Sequence, residues 1–533
     1  MRTNGGRPQS DVSASIRRGL GSLLFAASAL IAACSDSTPP DQPENPVGPL
    51  QIWIRYTGLV LEPAAQFAME ATVYDENSPS LLHRFPGNIG DPWPDTLRIR
   101  WTTSDGERVR VNQSAVLTAA GEGSATIRVD VEGYVDSAAV TVSADPPATH
   151  AYAVVSAGWS STCATDLDKQ AWCWGSDWMG ALGRGTARTF TIAATPGPVV
   201  GSHRFDSIVV GGTTGCGITD GGATYCWGRG DRAQLGNGTD GFVGPYLSGS
   251  AEPDRVAADP RFVAIALGSF HGCGLTEDGK AHCWGSAVSG AAGAVGSDNV
   301  TEPAPVDTEV AFTALVAGAA HTCALTSGGE AYCWGSNDGG QLGNDSLLEP
   351  CGGGLPCRTV PLAVTGDLAF TALSAGSQFT CGIAHDEMTY CWGSNVDGQV
   401  GQTEEAIFPG PVPVTNSPAL AVLASGGFHT CGLTASGEAH CWGANRRGQL
   451  GNGERNFIPN PTPAPVAGSL TFARIASGLQ HTCGITPDDA IYCWGSNASG
   501  QLGDGLPQQA VSVPVRVLDP QQPHAGTAKR AFP

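Results

Sequence analysis

Seven pairs of cysteines are each spaced ten residues apart: Cys163 and Cys173, Cys216 and Cys226, Cys273 and Cys283, Cys323 and Cys333, Cys381 and Cys391, Cys431 and Cys441, Cys483 and Cys493. Thiols at a fixed spacing can bind a metal, act as nucleophiles or cross-link the chain, and the residues between them decide. In the third pair Cys273 and Cys283 flank LTEDGKAH. A hairpin centred on Asp278 sets Thr276 opposite Lys280, with Gly279 free to take positive φ. The two cysteines then face each other directly, at a Cα separation of about 4.5 to 5.5 Å that a disulfide accepts. The same spacing predicts the same bridge in each of the other six pairs. On the other face Trp284 opposes Gly272 and His282 opposes Gly274, so large rings lie over small residues and are free to pack on a neighbouring unit. Cys351 and Cys357 form an eighth pair in CGGGLPC, whose loop context favours a clasp over a redox pair or a zinc site. Of 17 cysteines only Cys34 is then left over.

Other residues with chemical potential have simpler structural uses. His271, His321, His429 and His481 recur two places before the first cysteine, but each belongs to a different unit and Phe379 takes the same place in the fifth, which favours a structural role over a metal site. GLTEDGKA matches the start of a phosphate-binding loop, yet Ala281 replaces the Ser/Thr needed for magnesium, and the glycines serve a turn. Arg229, Gly230 and Asp231 spell RGD in a turn after CWG, read as a chance match. Asp166, Asp168 and turns such as SNDGG could touch calcium and are more simply turn formers. There is no GxSxG, no free cysteine once the bridges are made, and no carboxylate pair that stands out. No catalytic, cofactor-binding or metal-binding residue is therefore nominated, and no cofactor is expected.

The elements that carry the cysteines are short strands in a repeat. Successive first cysteines are 53, 57, 50, 58, 50 and 52 residues apart. Each unit reads as PxPV, FxxIxxG, HTCGL and AYCWG, followed by a glycine-rich SNxxGQLG turn, with the insertions between units. Four antiparallel strands per repeat with variable loops is the grammar of a β-propeller, so the fold class expected is all-β, seven blades of four strands over 150–518. The array begins at AYAVVSAG and ends on VSVPVRV, which lacks its own FxxIxxG strand, so the first and last segments are expected to complete one blade together.

VAGAAHTCALTSGGEAYCWGSNDGGQLGN, LASGGFHTCGLTASGEAHCWGANRRGQLGNG and IASGLQHTCGITPDDAIYCWGSNASGQLGDG resemble the repeat of the regulator of chromosome condensation family, whose members form seven-bladed propellers. The third unit is weaker, reading AVSGAAGAVGS after CWG. The family usually has an aliphatic and a small residue where these cysteines stand, so this chain departs from it by a staple in every blade. The resemblance implies protein–protein recognition, since the family includes an exchange factor for a Ran-type small GTPase and a secreted bacterial inhibitor of β-lactamase.

Ahead of the array, Arg2, Arg7, Arg17 and Arg18 lead into GLGSLLFAASALIAAC, the build of a secretory signal over 1–33. Ile31, Ala32, Ala33 and Cys34 resemble a bacterial lipobox, which implies lipidation of Cys34; the alternative is ordinary cleavage near ASA. Ser35 rather than Asp follows, which implies the outer membrane or cell surface. Residues 34–49 form a Pro-rich acidic tether, and 519–533 a C-terminal tail. Residues 50–145 alternate apolar and polar in LRIRWTTS, ATIRVDV and SAAVTVSA, as in a small β-sandwich, and resemble bacterial immunoglobulin-like domains of the group 2 type.

A formal charge of -21 repels polyanions and argues against nucleic-acid partners. The expected function is a surface-anchored, non-catalytic binding or scaffold protein that recognises an extracellular protein or glycan through propeller loops. A glycan-acting propeller enzyme, a purely structural envelope protein, or nucleotide-exchange activity by family analogy are the alternatives. Apolar residues in the insertions after the GQLG turns mark the candidate binding face: Phe242, Tyr246, Leu347, Leu348, Ile407, Phe408, Phe457 and Ile458. The other reading is that each folds over its own blade.

Overall fold

The computed structural model describes residues 50–54, 59–61, 66–68, 71–75, 78–85, 99–111, 116–120, 123–131, 134–142, 150–185, 191–240, 249–294, 296, 298–346, 348–505, 507 and 510–518. The signal segment, Cys34, the tether, the tail, Phe242, Tyr246 and Leu347 lie outside these residues.

Between 50 and 142 the described chain is mostly strand. Ile99–Thr103, Gly123–Val131 and Tyr134–Val142 form an antiparallel sheet to which Leu59–Leu61 adds in parallel, Val140 opposite Leu59. Trp101, Ile127, Val129 and Val140 on these strands are all buried, as alternation over a half-buried sheet requires. Gln66–Ala68, Val116–Ala119 and Val109–Val111 form a second antiparallel sheet.

From Tyr152 to Arg516 the chain forms seven blades, each an antiparallel meander from the axis outward. Blade 1 runs Tyr152–Ala157, Ser161–Asp166, Ala171–Ser176 and Ile192–Pro198; blade 7 runs Arg474–Ser477, His481–Ile485, Ile491–Gly495 and Val511–Arg516. This corrects the expected phase. The PxPV strand is the fourth strand of the blade it follows, not the first of the next: Cys333 pairs with Leu362, and Cys493 with Val515. No blade is therefore shared between the two ends. VSVPVRV pairs with its own CWG strand, and the insertions fall inside the blades, between third and fourth strands.

The hairpin register is the one the cysteine spacing implied, with Gly272 opposite Trp284, Cys273 opposite Cys283 and Gly274 opposite His282. All seven expected hairpin bridges are present. Cys163 is bonded to Cys173, Cys216 to Cys226, Cys273 to Cys283, Cys323 to Cys333, Cys381 to Cys391, Cys431 to Cys441 and Cys483 to Cys493, with Cα atoms 4.0 to 4.1 Å apart. That separation is slightly tighter than the 4.5 to 5.5 Å expected of facing residues, because the cross-link draws the two strands together. The eighth bridge joins Cys351 to Cys357.

Every hairpin cysteine is buried, and each bridge belongs to an apolar cluster that also contains the tryptophan of the next blade. Cys163 and Cys173 pack with Trp227, Cys216 and Cys226 with Trp284, and Cys273 and Cys283 with Trp334. Cys323 and Cys333 pack with Trp392, Cys381 and Cys391 with Trp442, and Cys431 and Cys441 with Trp494. The ring closes the same way, Cys483 and Cys493 of blade 7 packing with Trp174 of blade 1.

The GQLG turn completes this joint. Its Gln carbonyl reaches the following blade, where it accepts the indole N–H and a threonine hydroxyl: Gln501 O takes Trp174 Nε1 at 2.9 Å and Thr162 Oγ1 at 2.8 Å, and Gln341 O takes Trp392 and Thr380. Because the acceptor is backbone, the weak third repeat keeps the contact, with Ala291 O accepting from Trp334 at 3.2 Å.

A bridge over a loop of about ten residues contributes at most about 2.7 kcal/mol in the chain-entropy model, whereas truncating a buried tryptophan costs about 3–5 kcal/mol. Replacing Cys273 and Cys283 by Val and Ala should therefore lower stability in urea less than Trp334→Ala does, because the pair still fills the joint. An equal or larger loss from the cysteine pair would show that the cross-link itself, not the packing, holds the blades.

Candidate functional site

In a four-strand meander the first–second and third–fourth connections emerge at one edge, so the G-x-x-H loops and the SNxxGQLG turns with their insertions share one face of the propeller. Seven glycines, Gly158, Gly211, Gly268, Gly318, Gly376, Gly426 and Gly478, stand where the first strands end around the axis and line an axial cavity of about 120 Å³. A Cβ on Gly158, Gly211, Gly268, Gly318, Gly426 or Gly478 would strike the carbonyl of the next glycine in the ring. Main-chain bonds run between blades here, such as Leu479 N to Gly158 O at 3.0 Å and Gly427 N to Gly478 O at 3.1 Å.

Behind this ring sit the histidines. His481 Nε2 lies 2.9 Å from Thr162 Oγ1, His321 from Thr380 at 2.9 Å, His429 from Thr482 at 2.8 Å and His271 from Thr322 at 2.9 Å, each spanning two blades. Since Thr162 donates its proton to Gln501 O, His481 must be the donor to Thr162, which fixes the Nε2–H tautomer and leaves Nδ1 bare. Burial pushes His271 and His481 down to about 4 and His321 and His429 to about 3. The histidines are neutral joints between blades; Phe379, fully buried, fills the same place in blade 5.

The turn after CWG separates fixed from variable positions. Asn337, Asn395, Asn445 and Asn497 each accept the N–H of the apolar residue five places on, at 2.9 to 3.2 Å, and Asp177 does so in blade 1. Gln341, Gln399, Gln449 and Gln501 accept the N–H two places before them. At the place after this Asn/Asp position, which is Gly230 in blade 2 and Ala287 in blade 3, the side chain changes from blade to blade: Trp178, Asp231, Val288, Asp338, Val396, Arg446 and Ala498. The G-x-x-H loops vary likewise, giving Trp159, Phe270, Gln378 and Phe428.

Two features stand out on this face. On blades 1 to 3, the Arg229 guanidinium lies 5.3 Å from the Trp178 ring and 5.1 Å from Phe270; Arg232 lies 5.1 Å from Phe270, and Trp159 meets Phe270 edge-on at 5.9 Å. Arg229 also grips Asp231 through two bonds of 2.6 and 2.7 Å. Burial opposes ionisation of Asp231, but the hydrogen bonds from Arg229 and Gln234 and the charges of Arg229 and Arg232 hold it below its ordinary value. The RGD is thus an internal ion pair with Asp231 only 6% exposed, not a presented loop. Arg232 is exposed.

The second feature is a cavity of about 380 Å³ under the Cys351–Cys357 clasp, lined by Val288, Leu355, Pro356, Phe428 and Asp338 among others. The clasp reaches back to blade 3, Gly352 N donating to Val288 O at 3.0 Å. Asp338 accepts from Ser336 at 2.8 Å, Gln341 at 3.0 Å and Gln378 at 2.9 Å. Although burial opposes its ionisation, those bonds hold the carboxyl below its ordinary value.

The apolar residues singled out in the insertions divide. Phe457 and Ile458 are 79% and 72% exposed, with Arg446 over the Phe457 ring at 6.0 Å, and Ile407 is 55% exposed. Phe408 and Leu348 are partly buried against apolar clusters, which corrects their inclusion in an exposed patch. Phe408 opposes Gly393 in the fourth strand and packs against the apolar cluster that contains Trp442. The aromatic–arginine cluster and the clasp pocket were missed from sequence. Their signal was available: positions that change from blade to blade inside a turn whose neighbours do not.

A propeller of seven four-stranded blades, joined by a histidine–threonine and tryptophan–glutamine network, defines the class. Two models described as the Regulator of chromosome condensation (RCC1) repeat match the chain, one at 221–275, 328–383, 436–485 and 488–525, the other at 262–291, 312–341, 422–449 and 472–501. At those residues the chain matches that repeat. It is 34% identical over 132 residues to the E3 ubiquitin-protein ligase HERC2 of Mus musculus, covering 24% of this chain and 2% of that one. It is 30% identical over 146 residues to the RCC1 domain-containing protein RUG3, mitochondrial, of Arabidopsis thaliana, covering 27% and 31%. The chain thus spans under a third of the length of these curated relatives. Among solved structures, human WBSCR16 aligns at 20% identity with a TM-score of 0.56, covering 66% of this chain and 94% of that one. Prp20p from Saccharomyces cerevisiae aligns at 21% and 0.54, covering 63% and 84%. At these identities the likeness is one of fold.

A histidine near 3 or 4 in the fold titrates at about 6.5 when unfolded, so the unfolded chain takes up protons first as pH falls. Stability should be full above about pH 7 and fall progressively below 6.5. Replacing His321 and His429 by Phe, the residue blade 5 uses, should flatten the decline of Tm between pH 7 and 4.5. A Tm–pH curve parallel to the wild type's would show that these rings do not carry the acid sensitivity.

Proposed function

We propose that the propeller is a non-catalytic protein-recognition module of an exported protein, binding its partner with the face that carries the G-x-x-H loops and the turn insertions. The observation that carries this reading is the split within each turn: the Asn and Gln side chains hold the turn and the Gln carbonyl joins it to the next blade, while the neighbouring side chains differ from blade to blade. Side chains that repeat serve the ring; those that do not serve something outside it. The face offers what recognition surfaces use, aromatic rings and arginines at Trp159, Trp178, Phe270, Arg232 and Arg446, beside exposed Phe457 and Ile458. A protein of like fold supports it in kind: Prp20p is described with binding properties to Gsp1p and histones.

Eight disulfides suit an oxidising compartment. Among the described residues no helix is long and apolar enough to cross a membrane. In this reading 1–33 is a lipoprotein signal, acylated Cys34 anchors the chain at the outer membrane or cell surface, and the Pro-rich tether and an immunoglobulin-like region at 50–145 hold the propeller off it. The negative net charge then selects against nucleic acid.

Two experiments test the proposal. In capture from the native envelope, Arg232→Glu combined with Phe457→Ala should reduce recovery of the partner at least about tenfold, a loss of about 1.4 kcal/mol, with Tm unchanged. Phe408→Ala should instead lower Tm and spare binding. Recovery indifferent to the Arg232 and Phe457 changes would place the interface elsewhere. Separately, Cys34→Ala should release the protein from the membrane fraction or leave it as uncleaved precursor; normal processing and attachment would remove the lipid anchor from the account.

A further inference from the structure

We propose that the pocket under the Cys351–Cys357 clasp receives a lysine or arginine side chain of the protein partner, its alkyl stem against Val288, Leu355, Pro356 and Phe428 and its cation on Asp338. This rests on the reading of the face as a protein-binding surface and names one contact in it.

The cavity, about 380 Å³, falls at the lower end of the range of ligand pockets, which suits one long side chain. Its lining is Ala, Ser, Gly, Gln and apolar side chains with the clasp cysteines, and Asp338 is the single charged residue in it. Three neutral donors hold that carboxylate in place, and among the described residues no lysine or arginine pairs with it. Three bonds leave acceptor capacity on a carboxylate, whose two oxygens offer about four sites. An occupant must therefore be apolar along its length and cationic at its tip. An acidic group would meet Asp338 at close range, and a purely apolar one would strip water from an ionised carboxylate without compensation. Lysine and arginine combine both properties, and the Phe428 ring adds a face on which a cation is attracted. Leu355 and Val288 are 52% and 41% exposed, apolar groups left open at the mouth where the stem would cover them. Among the described residues no other insertion carries a clasp, so the wall that CGGGLPC supplies where it reaches back to blade 3 is particular to this place on the ring.

The test uses the full chain with labelled methyl groups and three blocked tripeptides, Gly-Arg-Gly, Gly-Lys-Gly and Gly-citrulline-Gly, followed by NMR. The arginine or lysine peptide should shift the Val288 and Leu355 methyl signals saturably, and the citrulline peptide, equal in shape but neutral, should bind at least about tenfold more weakly. Asp338→Asn keeps one acceptor oxygen for Ser336 and Gln341 and loses the one that Gln378 donates to; it should abolish the difference while the chain stays folded, and Leu355→Ser should weaken both cationic peptides. Equal binding of arginine and citrulline peptides, or no movement of these methyls, overturns the proposal. Free arginine binding as tightly as its peptide would make this a small-molecule site and equally overturn it. The peptides need no native partner, so failure here removes the cation seat alone, whereas failure of the capture experiment removes the face.

Discussion

The joint between blades is the constraint from which the rest follows. A single four-stranded blade of Gly-rich sequence cannot bury enough surface to stand alone, so each must find its core on its neighbour. Here the core is a disulfide of one blade under the indole of the next. The bridge is apolar and fully buried, and the Trp ring opposes a small residue on its own hairpin, Gly272 under Trp284 for example, and shares one apolar cluster with Cys216 and Cys226. Sulfur against an aromatic ring is a favourable contact in its own right. The cysteines are thus packing residues as much as cross-links.

That joint then dictates the turn chemistry. An indole N–H buried between sheets needs an acceptor, and a backbone carbonyl is the acceptor that mutation cannot remove. The GQLG turn delivers one, and the same carbonyl accepts the threonine that the histidine holds. Three side chains on two blades thereby converge on one oxygen, as at Gln501 with Thr162, Trp174 and, through Thr162, His481. The contact from blade 7 to blade 1 has the same chemistry as those from blade 4 to 5 and from 6 to 7, so the ring closes without a shared blade, whereas between blades 1 and 2 the Trp227 indole N–H is buried without an acceptor among the described residues.

How much of this was legible in the sequence depends on whether the interaction is local. The facing cysteines, from Cys163 and Cys173 to Cys483 and Cys493, could be read because a hairpin has one symmetric register and the strand period is two. The blade phase could not, since the PxPV segment borders a long insertion on one side and a short link on the other, and its hydrogen-bond partner lies across the insertion. Phe408 was misplaced for a related reason. IFPGPVP looks like a loop, yet proline is tolerated on an edge strand, and with Ile407–Pro413 a strand, Phe408 packs into the cluster between blades 5 and 6. The clasp pocket was invisible because it joins residues from the third to the sixth blades, Val288 to Phe428, that only the ring brings together.

The division of labour within each turn also explains how one face can diversify without loss of fold. At Asn337–Asp338 the first residue points inward and caps Leu342 N, while the second is held only by neutral neighbours. Changing the second residue leaves the cap, the Gln carbonyl and the indole bond untouched, so Trp178, Val288, Asp338 and Arg446 occupy equivalent places at no cost to the joints. Because the seven-glycine ring and the joints fix the backbone beneath them, these side chains are presented on a rigid frame, and little loop entropy is lost when a partner is bound. The same rigidity accounts for placing the clasp at CGGGLPC. That insertion has no joint of its own to hold it, and a bridge between Cys351 and Cys357 supplies locally the order that the ring gives everywhere else.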